Sequence, residues 1–235
     1  TPAPTSTPTP TPTPDDDADP DDTDPATPDD GPLLASGVVF DWGLNDESNG
    51  GAYFGGCNFL SAGVAGNTGS ARLWAEDAGF YKTEDGNTAL VRPTADGADL
   101  TQPTWATKCE NPAGTTVNGR TDGSDPATST QTRVQISDGS GIVNPAAADA
   151  DISWDGSFTV AYYGGMTYWS VTDPRLVVEG GEGTVTATLS GYGTDMDDMS
   201  IWTQIPPREV VIATLTNVDV TAEGFDAGLR YAGSI

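Results

Sequence analysis

Apolar side chains in this chain return every second residue rather than every third or fourth, and that period confines it to β structure. In Val38-Val39-Phe40-Asp41-Trp42-Gly43-Leu44, the side chains of Phe40, Trp42 and Leu44 share a face. Residues 157–163 place Phe158, Val160 and Tyr162 on one face, and residues 184–190 alternate Val185, Ala187 and Leu189 with threonine and serine. Residues 208–218 are apolar at both parities, which predicts a strand buried on both sides. Shorter strands are predicted at 72–75, 89–92, 133–137, 166–171 and 175–179. Gly180-Gly181-Glu182-Gly183 reads as a hairpin turn and Asp173-Pro174 as a strand break. A short helix at 145–150 is the only helical candidate. About ten strands punctuated by 29 glycines point to a mainly β domain, an antiparallel β-sandwich or barrel.

The pattern begins only after residue 36. Residues 1–36 hold ten of the eighteen prolines, nine aspartates and no basic side chain, in a Thr-Pro repeat followed by an Asp-rich run. Alternating prolines forbid both helix and sheet ladder, and too few apolar residues remain to offset the entropy of ordering. Residues 1–36 therefore read as a disordered linker, and residues 37–235 as the β domain. Extended as polyproline II, the linker would reach roughly 110 Å. Such stalks hold a domain away from a cell envelope, so an extracellular, cell-wall or envelope-attached location follows as an expectation.

Charge and composition exclude several functions. The chain has nine basic residues against thirty-five acidic ones, a net charge of −26 and no histidine. A histidine triad, a histidine-ligated zinc and a histidine general base are impossible within it. Nucleic acid is not expected as a partner, because affinity for phosphates rests on Lys and Arg. No run of apolar residues is long enough for a transmembrane helix. Carboxylates abound, but no spacing singles out a catalytic pair, and the chain reads as non-enzymatic.

Cys57 and Cys109 are the only cysteines. In an extracellular chain they are expected to form a disulfide, closing a glycine-rich loop; a reactive thiol or metal-binding pair is the alternative. Asp195, Asp197 and Asp198, the loop from Asn45 to Asn49, and Asp149, Asp151 and Asp155 are oxygen-rich groups that can hold Ca²⁺, although none has EF-hand spacing and solvated loops account for them. Trp154, Tyr162, Tyr163, Tyr168, Trp169 and Trp202 read as core residues, or as a ligand-lining or sugar-stacking set. In Tyr168-Trp169 the two rings must face opposite ways on a strand.

Three stretches together resemble the HtaA domain, a haem-binding module of secreted and wall-attached actinobacterial proteins. They are Phe40-Asp41-Trp42-Gly43-Leu44 followed by Tyr53; residues 156–165 with 166–176, including Asp173-Pro174-Arg175-Leu176; and Gly224-Phe225 with Leu229-Arg230-Tyr231-Ala232-Gly233. The resemblance implies a haem-binding surface module for iron acquisition, taking haem directly or from a host haem-protein and working beside other envelope proteins. It implies Tyr53 as the axial ligand of haem iron and Tyr231 as the second tyrosine. The histidine that hydrogen-bonds the family's axial tyrosine falls on Gly165. Two other readings stand beside it: a structural or adhesive module of the same fold that has lost haem, and a Ca²⁺-assisted carbohydrate-binding domain.

Overall fold

The computed structural model describes residues 31–52, 56–117, 129–195, 197–198, 200–222 and 224–229, the last four of these by backbone alone. Twelve strands occur among them: β1 (Leu33–Trp42), β2 (Phe59–Ala62), β3 (Glu84–Asp85), β4 (Thr88–Pro93), β5 (Leu100–Thr101), β6 (Arg133–Asn144), β7 (Asp149–Ser153), β8 (Ser157–Tyr162), β9 (Thr167–Glu179), β10 (Glu182–Thr194), β11 (Trp202–Val220) and β12 (Phe225–Leu229). All pairings are antiparallel, in the order β12-β11-β10-β9-β7-β6-β4-β3. Strand β1 also pairs with β6, and β8 pairs with β9 and β2. The result is a nearly closed, barrel-like sheet, as the period of two predicts.

Local chemistry sets the turns. β9 and β10 join through Gly180-Gly181, with φ of 56° and 82°, the two positive values that a type I′ hairpin needs. The predicted helix at 145–150 is a 3-10 turn at Pro145–Ala147, with the Asn144 side chain accepting from the Ala147 amide.

Four expectations change. β1 starts at Leu33, and residues 33–36, assigned to the linker by composition, pair with Val143, Ile142, Gly141 and Ser140. Asp173-Pro174 does not break the chain. β9 runs through it and exchanges its partner there, with Thr167–Thr172 on β8 and Arg175–Val178 on β7. Proline lacks a donor and is tolerated where the ladder changes partner. Residues 72–75 are not a strand. Strand β11 is not buried on both sides: Val211 is 57% exposed, and only Val218 and Val220 of this strand are buried.

The core lies on both faces of the β8–β9 pair. Leu90, Ile136, Ile152, Phe158, Val160 and Val171 fill the barrel side. On the other side Cys57, Phe59, Trp74, Val117, Ala161 and Tyr168 form a second cluster. Strand β8 is thus buried from Phe158 to Ala161. Thr159 is accommodated by giving its hydroxyl to the Gly63 carbonyl at 2.7 Å and meeting Ser170 Oγ at 2.8 Å. The two layers also resolve Tyr168-Trp169, with Tyr168 in the second cluster and Trp169 packed against the first.

Candidate functional site

Cys57 and Cys109 form a disulfide, with Cα atoms 5.6 Å apart. It fastens the outer layer beside a short loop whose base is closed by the Gly51–Cys57 bridge and by the Ala52 amide donating to the Gly56 carbonyl at 2.7 Å. Tyr53 belongs to that loop and, like Tyr231, lies outside the described residues.

The register of β2 on β8, Phe59 opposite Ala161, carries the residues before β2 up to the turn after β8. The Gly164 amide donates to the Cys57 carbonyl at 3.1 Å, and the Tyr163 amide to Asn58 Oδ1 at 2.8 Å. Asn58 in turn donates to the Glu47 carbonyl at 2.8 Å. Ser48 Oγ and the Tyr162 hydroxyl are 3.1 Å apart. The Trp74 amide donates to the Gly164 carbonyl at 2.9 Å. The base of the Tyr53 loop, the Gly165 turn and the 72–75 segment therefore meet at one corner, although more than a hundred residues separate the first two in sequence.

The turn is unusual in its backbone. Tyr163, Gly164 and Gly165 have φ of 52°, 71° and 108°. A Cβ on Gly165 would stand only 2.5 Å from Trp74 Cγ and Nε1, so the indole occupies the room a side chain there would need. Trp74 is 5% exposed and boxed by Phe59, Phe80 and Tyr168, with ring centroids 5.5, 5.6 and 5.2 Å away. Its Nε1 is buried without a hydrogen-bond partner. An unmet donor of this kind costs about 1–3 kcal/mol. Outside it lie Leu73, 67% exposed, and Tyr163, 46% exposed. A methyl carbon of Leu73 lies 2.8 Å from the point where a Gly164 Cβ would stand. Sequence reasoning missed Trp74; an apolar Leu73-Trp74 pair inside a glycine- and serine-rich segment was the available signal.

Behind the disulfide, Arg92 is 9% exposed and gives Nη1 to the carbonyls of Thr107 and Glu110, at 3.0 and 2.5 Å. Lys108 Nζ lies 3.5 Å from the Trp105 ring centroid and donates to the Trp105 carbonyl at 3.0 Å. Burial lowers the Lys108 pKa, against an opposing pull from Glu76. Burial raises the Tyr81 phenol well above its usual range, against the Arg92 charge. A cleft of about 580 Å³ lined by Tyr81, Trp105, Glu76, Glu84 and Gln102 opens next to these groups.

The remaining candidates have structural partners. Trp154 donates to the Val38 carbonyl at 2.9 Å, and the Tyr168 hydroxyl to the Gly66 carbonyl at 2.6 Å. Trp202 stacks on Tyr192 and donates to Asn67 Oδ1 at 2.8 Å. Asp195 accepts from the amides of Asp197 and Asp198, Asp149 from the Gly180 amide, and Asp151 from Arg175. Among the described residues no group of three or more His, Cys, Asp or Glu side chains could hold a metal ion. No helix among them is long and apolar enough to cross a membrane.

The fold and corner define an antiparallel β module with a disulfide-fastened outer layer. The HtaA family model matches residues 111–232, just over half the chain, and the chain belongs to the HtaA family. The matched span takes in β6 to β12, the Gly165 turn and Tyr231, whereas Tyr53 and both cysteines precede it. No curated protein and no solved structure matches the chain.

Proposed function

We propose that the chain is a non-enzymatic, envelope-tethered haem-binding module for iron acquisition, working outside the cell and receiving haem free or from a host haem-protein. The observation that supports this most is the direct hydrogen bonding, next to the Tyr53 loop, of the Cys57 carbonyl to the Gly164 amide and of the Asn58 side chain to the Tyr163 amide. The two stretches that the haem reading needs together are thereby adjacent.

The residues present fit the group. Leu73 and Tyr163 are exposed large hydrophobic residues at this corner that a porphyrin face could cover, and Trp74 beside them carries a buried ring nitrogen without a partner. In a chain without histidine, a tyrosine phenolate is a chemically sound axial donor to ferric iron. When bound, haem would supply a Lewis-acidic iron that holds this phenolate. Tyr53 would provide the ligand, while Leu73 and Tyr163 exclude water from the ring.

A second reading, a structural or adhesive module of the same fold, is favoured by one observation: the space of a side chain at 165 is filled by Trp74. Haemin titration followed by visible absorption separates the two. Saturable binding in the native protein, lost in a Leu73→Asp, Tyr163→Asp double variant that still folds, supports the haem reading. A protein that never takes up haemin leaves the structural module.

A further inference from the structure

The cleft of about 580 Å³ is walled by Glu76 of the 3-10 turn Glu76–Ala78, by residues 81–84 leading into β3 and by the segment that follows β5. All of these precede residue 111, where the family match begins. The volume falls in the ~300–1,000 Å³ range of small-molecule sites. Tyr81 and Trp105 supply an aromatic wall. Their rings meet at 5.7 Å and 71°, and both rest on Phe59, with centroids 5.8 and 6.4 Å away. Lys108 lies over Trp105. The turn that carries this ring is held by Arg92, through the carbonyls of Thr107 and Glu110, and by the disulfide at Cys109. The wall is therefore fixed by the fold itself, before any ligand arrives.

The polar side chains of the cleft define the chemistry of its occupant. Gln102 Nε2 donates to Glu84 Oε1 at 2.5 Å, which aligns the pair and leaves Gln102 Oε1 and Glu84 Oε2 without a partner among the described residues. The Glu76 carboxylate makes no hydrogen bond or ion pair among them either. These free groups are all acceptors, so the ligand has to be rich in donors. Two ammonium groups, Lys82 in the lining and Lys108 on the Trp105 ring, balance the two carboxylates, and the electron-rich indole face already holds a cation. A neutral, hydroxyl-rich ligand with an apolar face meets these terms, and a cation does not. We propose that the cleft binds a pyranose glycan, with sugar hydroxyls donating to Glu76, Glu84 and Gln102 and the sugar's C–H face against the Tyr81–Trp105 wall, where the electron-rich rings attract its C–H dipoles. The six aromatic residues that the sequence offered for stacking on sugars, from Trp154 to Trp202, do not line this cleft, and it calls on no calcium. The proposal does not rest on the haem reading.

The test titrates the full chain with cellohexaose, maltohexaose, chitohexaose and mannohexaose, up to about 10 mM, by calorimetry and by saturation-transfer NMR. At least one should bind saturably, with saturation reaching the axial C–H protons of its rings. The double variant Glu84→Ala, Gln102→Ala alters two exposed side chains and should fold as the native chain does. It should weaken that glycan by at least about 10-fold, since a hydrogen bond to a charged group is among those lost. Trp105→Ala should abolish the saturation transfer; should that variant fail to fold, the double variant carries the test alone. The matching monosaccharide distinguishes the source: equal affinity means that a single free sugar is held, and a tighter hexaose means a polymer chain, the proposal standing in both cases. Binding of none of the four glycans overturns the proposal, as does glycan binding that the double variant leaves unchanged. Tetramethylammonium that binds in the cleft more tightly than every glycan overturns the assignment of a neutral ligand.

Discussion

Gly165→Ala is the sharpest perturbation of the corner. The new Cβ would sit 2.5 Å from two atoms of the Trp74 ring, far inside van der Waals contact, and Gly165 adopts φ 108°, which an alanine rarely does. The ring cannot retreat, because Phe59, Phe80 and Tyr168 hold it from the other sides. Backbone strain of about 1–3 kcal/mol and overpacking of about 1–3 kcal/mol combine to a loss of about 2–6 kcal/mol. Urea unfolding followed by tryptophan fluorescence reads this loss directly, since Trp74 itself is disturbed. Gly180→Asn serves as the control. Gly180 has φ 56° and nothing within 4 Å of its Cβ position, and asparagine tolerates that conformation, so its stability should stay within about 0.5 kcal/mol of the native chain. If Gly165→Ala is as stable as Gly180→Asn, the indole does not fill the space described here. The same steric argument means that Gly165→His, the obvious way to restore a family histidine, should destabilise the fold rather than strengthen haem binding.

Replacing Cys57 and Cys109 by serine should cost about 4 kcal/mol, the chain-entropy value for a loop of this length, and the native protein should react with no thiol reagent before reduction. A chain starting at Gly31 should melt with the full-length protein, whereas one starting at Gly37 loses the pairing of residues 33–36 with β6 and should melt lower; equal melting would show that this end of β1 contributes nothing. Desolvation raises the Tyr81 pKa above its unfolded value near 10, so its contribution is whole below about pH 10 and is lost as pH rises further. Lys108 has the opposite sign, its pKa being lowered by burial, but it is common to both proteins when native chain and Tyr81→Phe are compared. Their stability difference in urea should therefore shift in favour of Tyr81→Phe between pH 9 and 11, and a constant difference would refute the burial of that phenol.

The period of two made β1, β8 and β10 legible, because each has one face whose apolar residues alternate with small or polar ones. It could not show that β8 is covered twice. Thr159 and Ala161 alternate with Phe158 and Val160 onto the opposite face, and the layer fastened by Cys57–Cys109 buries them. The reverse error occurred in β11, where apolar residues at both parities suggested two covered faces while Val211 meets solvent. Local pattern records what a residue is, not whether a second layer arrives. For the site, the sequence supplied Cys57, Cys109 and the Gly165 turn. The meeting of Asn58 with Tyr163 depends on the β2–β8 register, which joins segments about a hundred residues apart and leaves no local trace. The apolar pair Leu73-Trp74 hints at burial, but its partner, the main chain of a distant turn, leaves no local trace.

The most direct test of the haem account is the visible and resonance Raman spectrum of the haemin-loaded chain beside that of Tyr53→Phe. Ferric haem held by a phenolate should give charge-transfer absorption and iron–phenolate vibrations in the native protein. Both should be absent from Tyr53→Phe, whose far-ultraviolet dichroism and melting should match the native chain. A native protein that binds no haemin, or a Tyr53→Phe variant with an unchanged iron–phenolate spectrum, would contradict the account.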